Sequence, residues 1–168
     1  MASSPVTQAI EKAIEAEIEG HHFYRMAAGA TTDPRGREVF ETLAAEEMRH
    51  ADYLRAQHRA LIDTGRVDAS ASLGDAFPLT GSSPIFSERL KARVTQAHFE
   101  MTALTIGIQL EADAEAFYRR SAETAEDPEV KAFLLRLAEW ESGHYHGLLA
   151  QQQALQEDYW AANRFAPF

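Results

Sequence analysis

Four glutamates and two histidines recur along this chain of 168 residues at spacings that suit a metal site. Two of the glutamates begin Glu-x-x-His pairs, in which positions i and i+3 of a helix project from one face about one turn apart. One helix can therefore offer a carboxylate and an imidazole to the same metal pair. The six residues are Glu17, Glu47, His50, Glu111, Glu141 and His144.

A lone Glu-x-x-His pair in a glutamate-rich helix is usually a solvated surface feature. These six residues instead lie on the apolar stripes that must face the interior of a helical bundle. Four unpaired carboxylates in a low-dielectric interior would cost many kcal/mol or would have to bind protons. Two divalent cations would balance the four charges, and the imidazoles would complete the site as neutral donors. Carboxylate and imidazole ligands suit iron, and they also suit manganese or zinc.

The chain contains an internal repeat with an offset of 94 residues. Residues 17–24 (EIEGHHFY) align with residues 111–118 (EADAEAFY), and the same offset pairs Asp33-Pro34 with Asp127-Pro128. An agreement that extends over more than thirty residues without a gap indicates a duplicated helical hairpin.

Each half of the repeat predicts two helices, since apolar residues recur every three or four positions. Asp33 and Asp127 are predicted N-caps, each followed by a proline that needs no hydrogen-bond donor at the first helical position. We predict one helical hairpin over 6–61 and a second over 99–157.

The segment 62–98 between the hairpins is rich in Gly, Ser, Asp and Pro and predicts a long irregular crossover. A crossover that travels the whole bundle would make the second and third long helices parallel, which is the arrangement of an all-α, ferritin-like four-helix bundle. We expect a short helix or helical lead-in over 87–98. The aromatic tail, 158–168, is expected to pack on the bundle or on a partner subunit. The chain 1–168 is thus predicted to be a single domain.

Composition excludes several functions. With 16 Lys and Arg against 26 Asp and Glu, the net charge of −10 disfavours nucleic acid and membrane surfaces as partners. The absence of cysteine excludes thiolate nucleophiles, thiolate-bound zinc and iron–sulfur clusters. No targeting segment or spanning helix is visible in the sequence, and we expect a cytoplasmic protein.

The four segments that carry these residues resemble the metal-binding helices of rubrerythrin-like proteins in the ferritin-like superfamily, over roughly residues 8–155. The segments are 17–24, 46–50, 111–118 and 141–144. The resemblance implies two iron ions per subunit and reaction with hydrogen peroxide or dioxygen. It makes Glu17 with His50 the terminal ligands of one iron and Glu111 with His144 those of the other. Glu47 and Glu141 would bridge the two ions.

The sequence departs from the rubrerythrin pattern in two ways. It has no cysteines for a rubredoxin-type iron centre, so an external electron-transfer protein is expected to supply electrons. Where rubrerythrins carry an extra carboxylate one turn after the third-helix ligand, this chain has Ala114. The symmetric set of six ligands is therefore closer to the ferroxidase centre of bacterioferritin.

Four neighbouring residues receive secondary roles. Tyr24 and Tyr118 lie two turns after Glu17 and Glu111, and each phenol is expected to donate to a carboxylate ligand of the other half. The alternative is that both are core aromatics with satisfied hydroxyls. His21 and Glu115 follow the same glutamates by four residues and could act as auxiliary ligands or proton carriers, although packing roles are the simpler reading.

The leading hypothesis is a di-iron oxidoreductase that uses peroxide or dioxygen and an external electron donor, and we expect a homodimer. Two alternatives stay open. One is a ferroxidase that stores oxidised iron inside a protein cage. The other is a binding protein in which the metal ions only neutralise buried carboxylates.

Overall fold

The computed structural model describes residues 5–75, 79, 85–91 and 97–164. Within these ranges the chain forms four long helices and one short helix, and it contains no strands. The helices are α1 (Pro5–Ala30), α2 (Pro34–Thr64), α3 (Glu88–Lys91), α4 (His98–Thr124) and α5 (Pro128–Ala162). Helices α1 and α2 form one hairpin, and α4 and α5 form the other. The predicted all-α bundle is confirmed.

Both predicted helix starts are confirmed. The Asp33 carboxylate accepts a hydrogen bond from the Gly36 N–H at 2.9 Å, and Asp127 accepts one from the Glu129 N–H at 2.7 Å. Because the proline that follows each aspartate has no N–H, neither helix start leaves that donor unsatisfied. Helix α2 ends at Gly65, whose φ of 71° lets its N–H bond to the Leu61 carbonyl at 3.0 Å.

The crossover travels from one end of the bundle to the other. Leu73 packs in the apolar cluster near the end of α2, and the Ile85 N–H donates to the Gln151 side chain on α5 at 2.8 Å. Ser87 then donates its hydroxyl to Asp33 at the start of α2. Helix α4 begins at this same end, so α2 and α4 run parallel as predicted for a ferritin-like bundle.

The core consists of two apolar clusters with a polar layer between them. One cluster includes Tyr24, Phe40 and Leu104, and the other includes Leu54 and Phe133. The six predicted ligands lie in the layer between the clusters and are at most 5% exposed. The bundle therefore surrounds charged groups with apolar side chains at both ends.

Two segments differ in extent from the sequence-based boundaries. Helix α5 continues to Ala162 and so includes part of the predicted tail, of which 165–168 lie outside the described residues. Helix α3 lies within the segment predicted as a short helix or lead-in, and 92–96 of that segment are also outside them. Among the described residues, no helix combines the length and apolarity that crossing a membrane requires.

Candidate metal centre

The four long helices bring the six predicted residues together in one buried cluster. Helices α1 and α4 each contribute one glutamate. Helices α2 and α5 each contribute one Glu-x-x-His motif. The residues form two overlapping groups that share Glu141. Within each group, the potential ligand atoms all lie within 4.8 Å of one another. The first group is Glu47, Glu111, Glu141 and His144, and the second is Glu17, His50 and Glu141.

The two imidazoles face the cluster through equivalent atoms. His144 Nδ1 lies 3.5 Å from carboxylate oxygens of both Glu111 and Glu141. His50 Nδ1 lies 2.9 Å from Glu141 and 3.4 Å from Glu17. The two rings are nearly parallel, with centroids 5.9 Å apart. Because His144 Nδ1 also lies 3.8 Å from Glu47, each histidine presents Nδ1 to carboxylates from both hairpins.

Two tyrosines connect the halves of the repeat. Tyr24 on α1 donates its hydroxyl hydrogen to Glu111 on α4, and Tyr118 on α4 donates to Glu17 on α1. Burial, together with the charges of nearby carboxylates such as Glu111 for Tyr24 and Glu17 for Tyr118, raises the pKa of both phenols well above the ordinary value. Both hydroxyls therefore stay protonated and act as donors. Each of these hydrogen bonds restricts rotation of the carboxylate that accepts it.

The carboxylates titrate abnormally when the chain carries no metal. Burial, reinforced by neighbouring carboxylate charges, raises the pKa of Glu47 well above its usual range. The pKa of Glu111 is raised to about 7, chiefly by burial and against the opposing effect of His144. Burial opposes protonation of His50, yet the charge of Glu141 raises the pKa of His50 to about 10. Without metal, the buried carboxylates and imidazoles of the cluster therefore compete for protons.

The donor set fits a pair of divalent cations. Six buried side-chain atoms in the described part of the chain have no hydrogen bond of acceptable geometry, although some of them lie close to one another, such as His50 Nδ1 at 2.9 Å from Glu141; all six belong to this cluster. Unpaired lone pairs on carboxylates and imidazoles are rare in native interiors and are what a metal ion would occupy; a neutral His50 ring offers such a lone pair on only one of its two nitrogens. The atoms are Glu47 Oε1, His50 Nδ1 and Nε2, both oxygens of Glu141, and His144 Nδ1.

His21 and Glu115, the two candidate auxiliary residues, point to other partners. His21 Nδ1 lies 2.7 Å from the Ala44 carbonyl oxygen, and Glu115 accepts from Arg119 at 2.8 Å. Neither belongs to the groups of clustered donor atoms. Both contacts match the simpler packing reading better than a ligand role.

Glu46 is a residue of the site to which the sequence analysis assigned no role. Its fully buried side chain lies 2.9 Å from His144 Nε2 and 2.6 Å from the Arg49 guanidinium. Because an ionised carboxylate can only accept, His144 donates Nε2–H to Glu46, and Nδ1 is the nitrogen that faces the cluster. Burial opposes protonation of His144 in the metal-free chain, yet hydrogen bonds with Glu111, Glu141 and Glu46 raise its pKa well above the ordinary value, so Nδ1 has to lose a proton before it can bind a metal ion. Helical spacing was the signal that could have identified Glu46, since it places Leu43, Glu46 and His50 on the interior face of α2.

A cavity of about 460 Å³ lies between α1 and α4 and reaches Glu17, Glu47 and Glu111. Ala13 and Ala114 line it. Gly20 also lines it, and a Cβ at this position would lie 3.0 Å from Glu47 Oε2. On the opposite side of the cluster the Trp140 ring covers His50, with ring centroids 5.2 Å apart. The carboxylates are therefore approached from the α1 and α4 side.

Residues 8–152 match the family model described as Rubrerythrin, which covers most of the chain. No significant match to the chain was found among curated proteins or solved structures.

Proposed function

Because the chain belongs to the rubrerythrin family, we propose that it is a di-iron oxidoreductase that reduces hydrogen peroxide or dioxygen. The observation that carries the proposal is the set of buried carboxylate and imidazole atoms that have no hydrogen bond of acceptable geometry and lie in one cluster. Glu17, Glu47, His50, Glu111, Glu141 and His144 would hold the two irons. When bound, the metal pair would supply one electron from each ion to an O–O bond.

The chain's own residues orient the ligands and exclude water. Tyr24 and Tyr118 hold Glu111 and Glu17, each through a hydrogen bond that crosses between the hairpins. Glu46 sets the tautomer of His144. Apolar clusters pack at both ends of the site, and the cavity between α1 and α4 reaches its carboxylates. An oxidant would therefore enter through this cavity.

The proposal includes an external electron-transfer protein, a cytoplasmic location and a homodimer. The chain has no cysteine, so no thiolate-bound iron centre within it could supply electrons. A donor outside these 168 residues would therefore supply two electrons to the cluster in each turnover.

The test is removal of single ligands. We expect Glu47→Ala and His144→Ala to lower the iron content below two ions per chain and to abolish oxidation of bound Fe(II) by peroxide. Glu41→Ala, an exposed position on the same helix as Glu47, is the matched control and should change neither quantity. Unaltered iron stoichiometry and oxidation in both ligand variants would contradict the proposal.

A ferroxidase is the second candidate, and Ala114 is the observation that favours it. The position where rubrerythrins carry an additional carboxylate is small and apolar here, and the neighbouring Glu115 pairs with Arg119 instead of reaching the cluster. The two candidates differ in oxidant and size. A ferroxidase that stores iron would react with dioxygen and elute from gel filtration as a large shell. A peroxidase would react much faster with peroxide and elute as a dimer.

A further inference from the structure

The cavity between α1 and α4 is far larger than the oxidants considered so far. It holds about 460 Å³, within the range of roughly 300–1,000 Å³ that is typical of sites for organic ligands. A water molecule occupies about 30 Å³ in the liquid, and hydrogen peroxide or dioxygen is of similar size. Either oxidant would therefore leave most of the cavity without a specific occupant.

The walls of the cavity are apolar. Ala13, Ala16 and Ala114 form its small-residue lining, and Leu110 and Phe117 add larger hydrocarbon surface. These side chains offer no hydrogen bonds to a small polar oxidant. They can instead bury the hydrocarbon body of an organic molecule, which is favourable by roughly 25 cal/mol for each Å² removed from water.

The rim of the cavity is charged but balanced. Lys12 and Arg120 face the opening together with Glu19 and Asp113, and all four are exposed. Two cations and two anions give little preference for either sign of ligand charge, since exposed charges of opposite sign largely cancel at short range. The rim therefore suits a neutral molecule.

The inner end of the cavity is polar. Glu17, Glu47 and Glu111 line it, and Glu47 Oε1 is buried without a hydrogen-bond partner. A ligand that filled the cavity would thus place one end at the carboxylate cluster and its hydrocarbon body against the alanines and Phe117. A molecule with a polar, reducible head and an apolar body matches both ends.

We propose that the cavity binds a neutral organic hydroperoxide with a bulky hydrocarbon body, which the cluster reduces in preference to hydrogen peroxide. This inference rests on the proposed function. In the reaction the O–O bond of ROOH breaks, two electrons come from the two reduced metal ions, and two protons are taken up. The products are the alcohol ROH and one water, and the external donor returns the two electrons.

Binding is tested separately from turnover. The probe is 2-phenyl-2-propanol, the alcohol product of cumene hydroperoxide, titrated by calorimetry into the full chain loaded with zinc, which does not change oxidation state. We expect saturable binding that becomes about tenfold weaker or more in Ala114→Phe and in Ala16→Phe, because a phenyl ring would fill the space that the ligand needs. Ala132→Phe, at an exposed position on α5, is the matched control and should bind as the unmodified chain does.

Turnover is tested by rapid mixing of the Fe(II)-loaded chain with cumene hydroperoxide and, in parallel, with hydrogen peroxide. We expect faster oxidation by cumene hydroperoxide at equal concentration, and a fall in its rate relative to hydrogen peroxide in Ala114→Phe. No binding of the alcohol, or equal weakening in Ala132→Phe, would overturn the assignment of the cavity. Binding of the alcohol without oxidation by either peroxide would instead overturn the proposed function.

Discussion

His144 Nε2 lies 2.9 Å from a carboxylate oxygen of Glu46, on the side of the imidazole that faces away from the metal cluster. The residue that corresponds to Glu46 in the second half of the repeat is Trp140, and its indole ring packs edge-on against His50. His50 Nε2 has no hydrogen-bond partner within the described residues. The two halves of the duplicated bundle therefore support their histidines differently.

This asymmetry predicts unequal metal affinities at the two ends of the cluster. We expect Glu46→Gln to weaken binding of one of the two metal ions by about 10–100-fold, because loss of a carboxylate behind a histidine ligand has effects of this size. Competition of the loaded protein with a chelator measures the two affinities. Glu41→Gln, an exposed change on the same helix, should leave both affinities unaltered. Equal weakening of both ions by Glu46→Gln would contradict the prediction.

The tyrosines that cross between the hairpins predict a stability effect. Tyr24→Phe removes the hydrogen bond that the tyrosine hydroxyl donates to the buried carboxylate of Glu111, so we expect the free energy of unfolding to fall by about 1–3 kcal/mol. Tyr118→Phe should have a similar effect through Glu17. Tyr159→Phe, whose residue is 39% exposed, is the control and should change stability by less than about 0.5 kcal/mol. Urea denaturation of the metal-free proteins measures the difference, and equal losses in all three would contradict it.

At Gly20, helix α1 lies close to Glu47, one of the proposed metal ligands. A Cβ at Gly20 would lie 3.0 Å from Glu47 Oε2, whereas a Cβ at Gly143 on α5 would meet no atom within 4 Å. We expect Gly143→Ala to stabilise the protein by about 0.5–1 kcal/mol, the usual gain of alanine over glycine in a helix. Gly20→Ala should displace Glu47 and lower the affinity for metal. Thermal unfolding and metal titration of the two variants check this contrast, and an unchanged affinity in Gly20→Ala would argue against it.

The pKa shifts predict how the metal-free protein responds to pH. The pKa of Glu111 is raised from 4.5 to about 7, so its ionisation destabilises the fold as the pH rises through this range. The pKa of His50 is raised from 6.5 to about 10, so its stabilising charge is complete below 6.5 and is lost toward 10. Both effects have the same sign. The lowered pKa of Glu141 changes stability only below its ordinary value of 4.5.

We therefore expect the metal-free protein to become less stable from about pH 5 to pH 8, as linkage requires when the folded state binds more protons. Urea denaturation at high ionic strength, which screens surface charges, measures this trend. The metal-loaded protein should show the opposite slope, because its ligands must lose protons to bind. Glu111→Gln should flatten the slope of the metal-free form. A metal-free protein that gains stability across this range would refute the prediction.

Much of the fold could be predicted because the internal repeat is clear and because the residues that begin α2 and α5 lie close together in the sequence. Asp33 and Asp127 cap their helices through their own side chains, and each is followed by proline, so the signal lies within a few residues. The end of α5 could not be located in this way. No proline or glycine follows Gln153 until Pro167, so the sequence gives no stop signal before Ala162, where the helix ends.

Glu46 shows the corresponding limit for the site. Its position beside Glu47 on α2 is visible in the sequence, but its partner His144 is 98 residues away. Only the packing of α2 against α5 decides that Glu46 lies behind one histidine while Trp140 covers the other. A helical period predicts which face a residue occupies, and it does not predict which side chain of another helix it will contact.

The sequence by itself determined the helical repeat and the six carboxylate and imidazole residues on its interior stripes, since both follow from periodicity and spacing along one chain. The tertiary structure alone decided the unequal support of the two histidines and the size of the cavity between α1 and α4. These features depend on how far apart neighbouring helices lie and how they are rotated, which packing between distant segments sets.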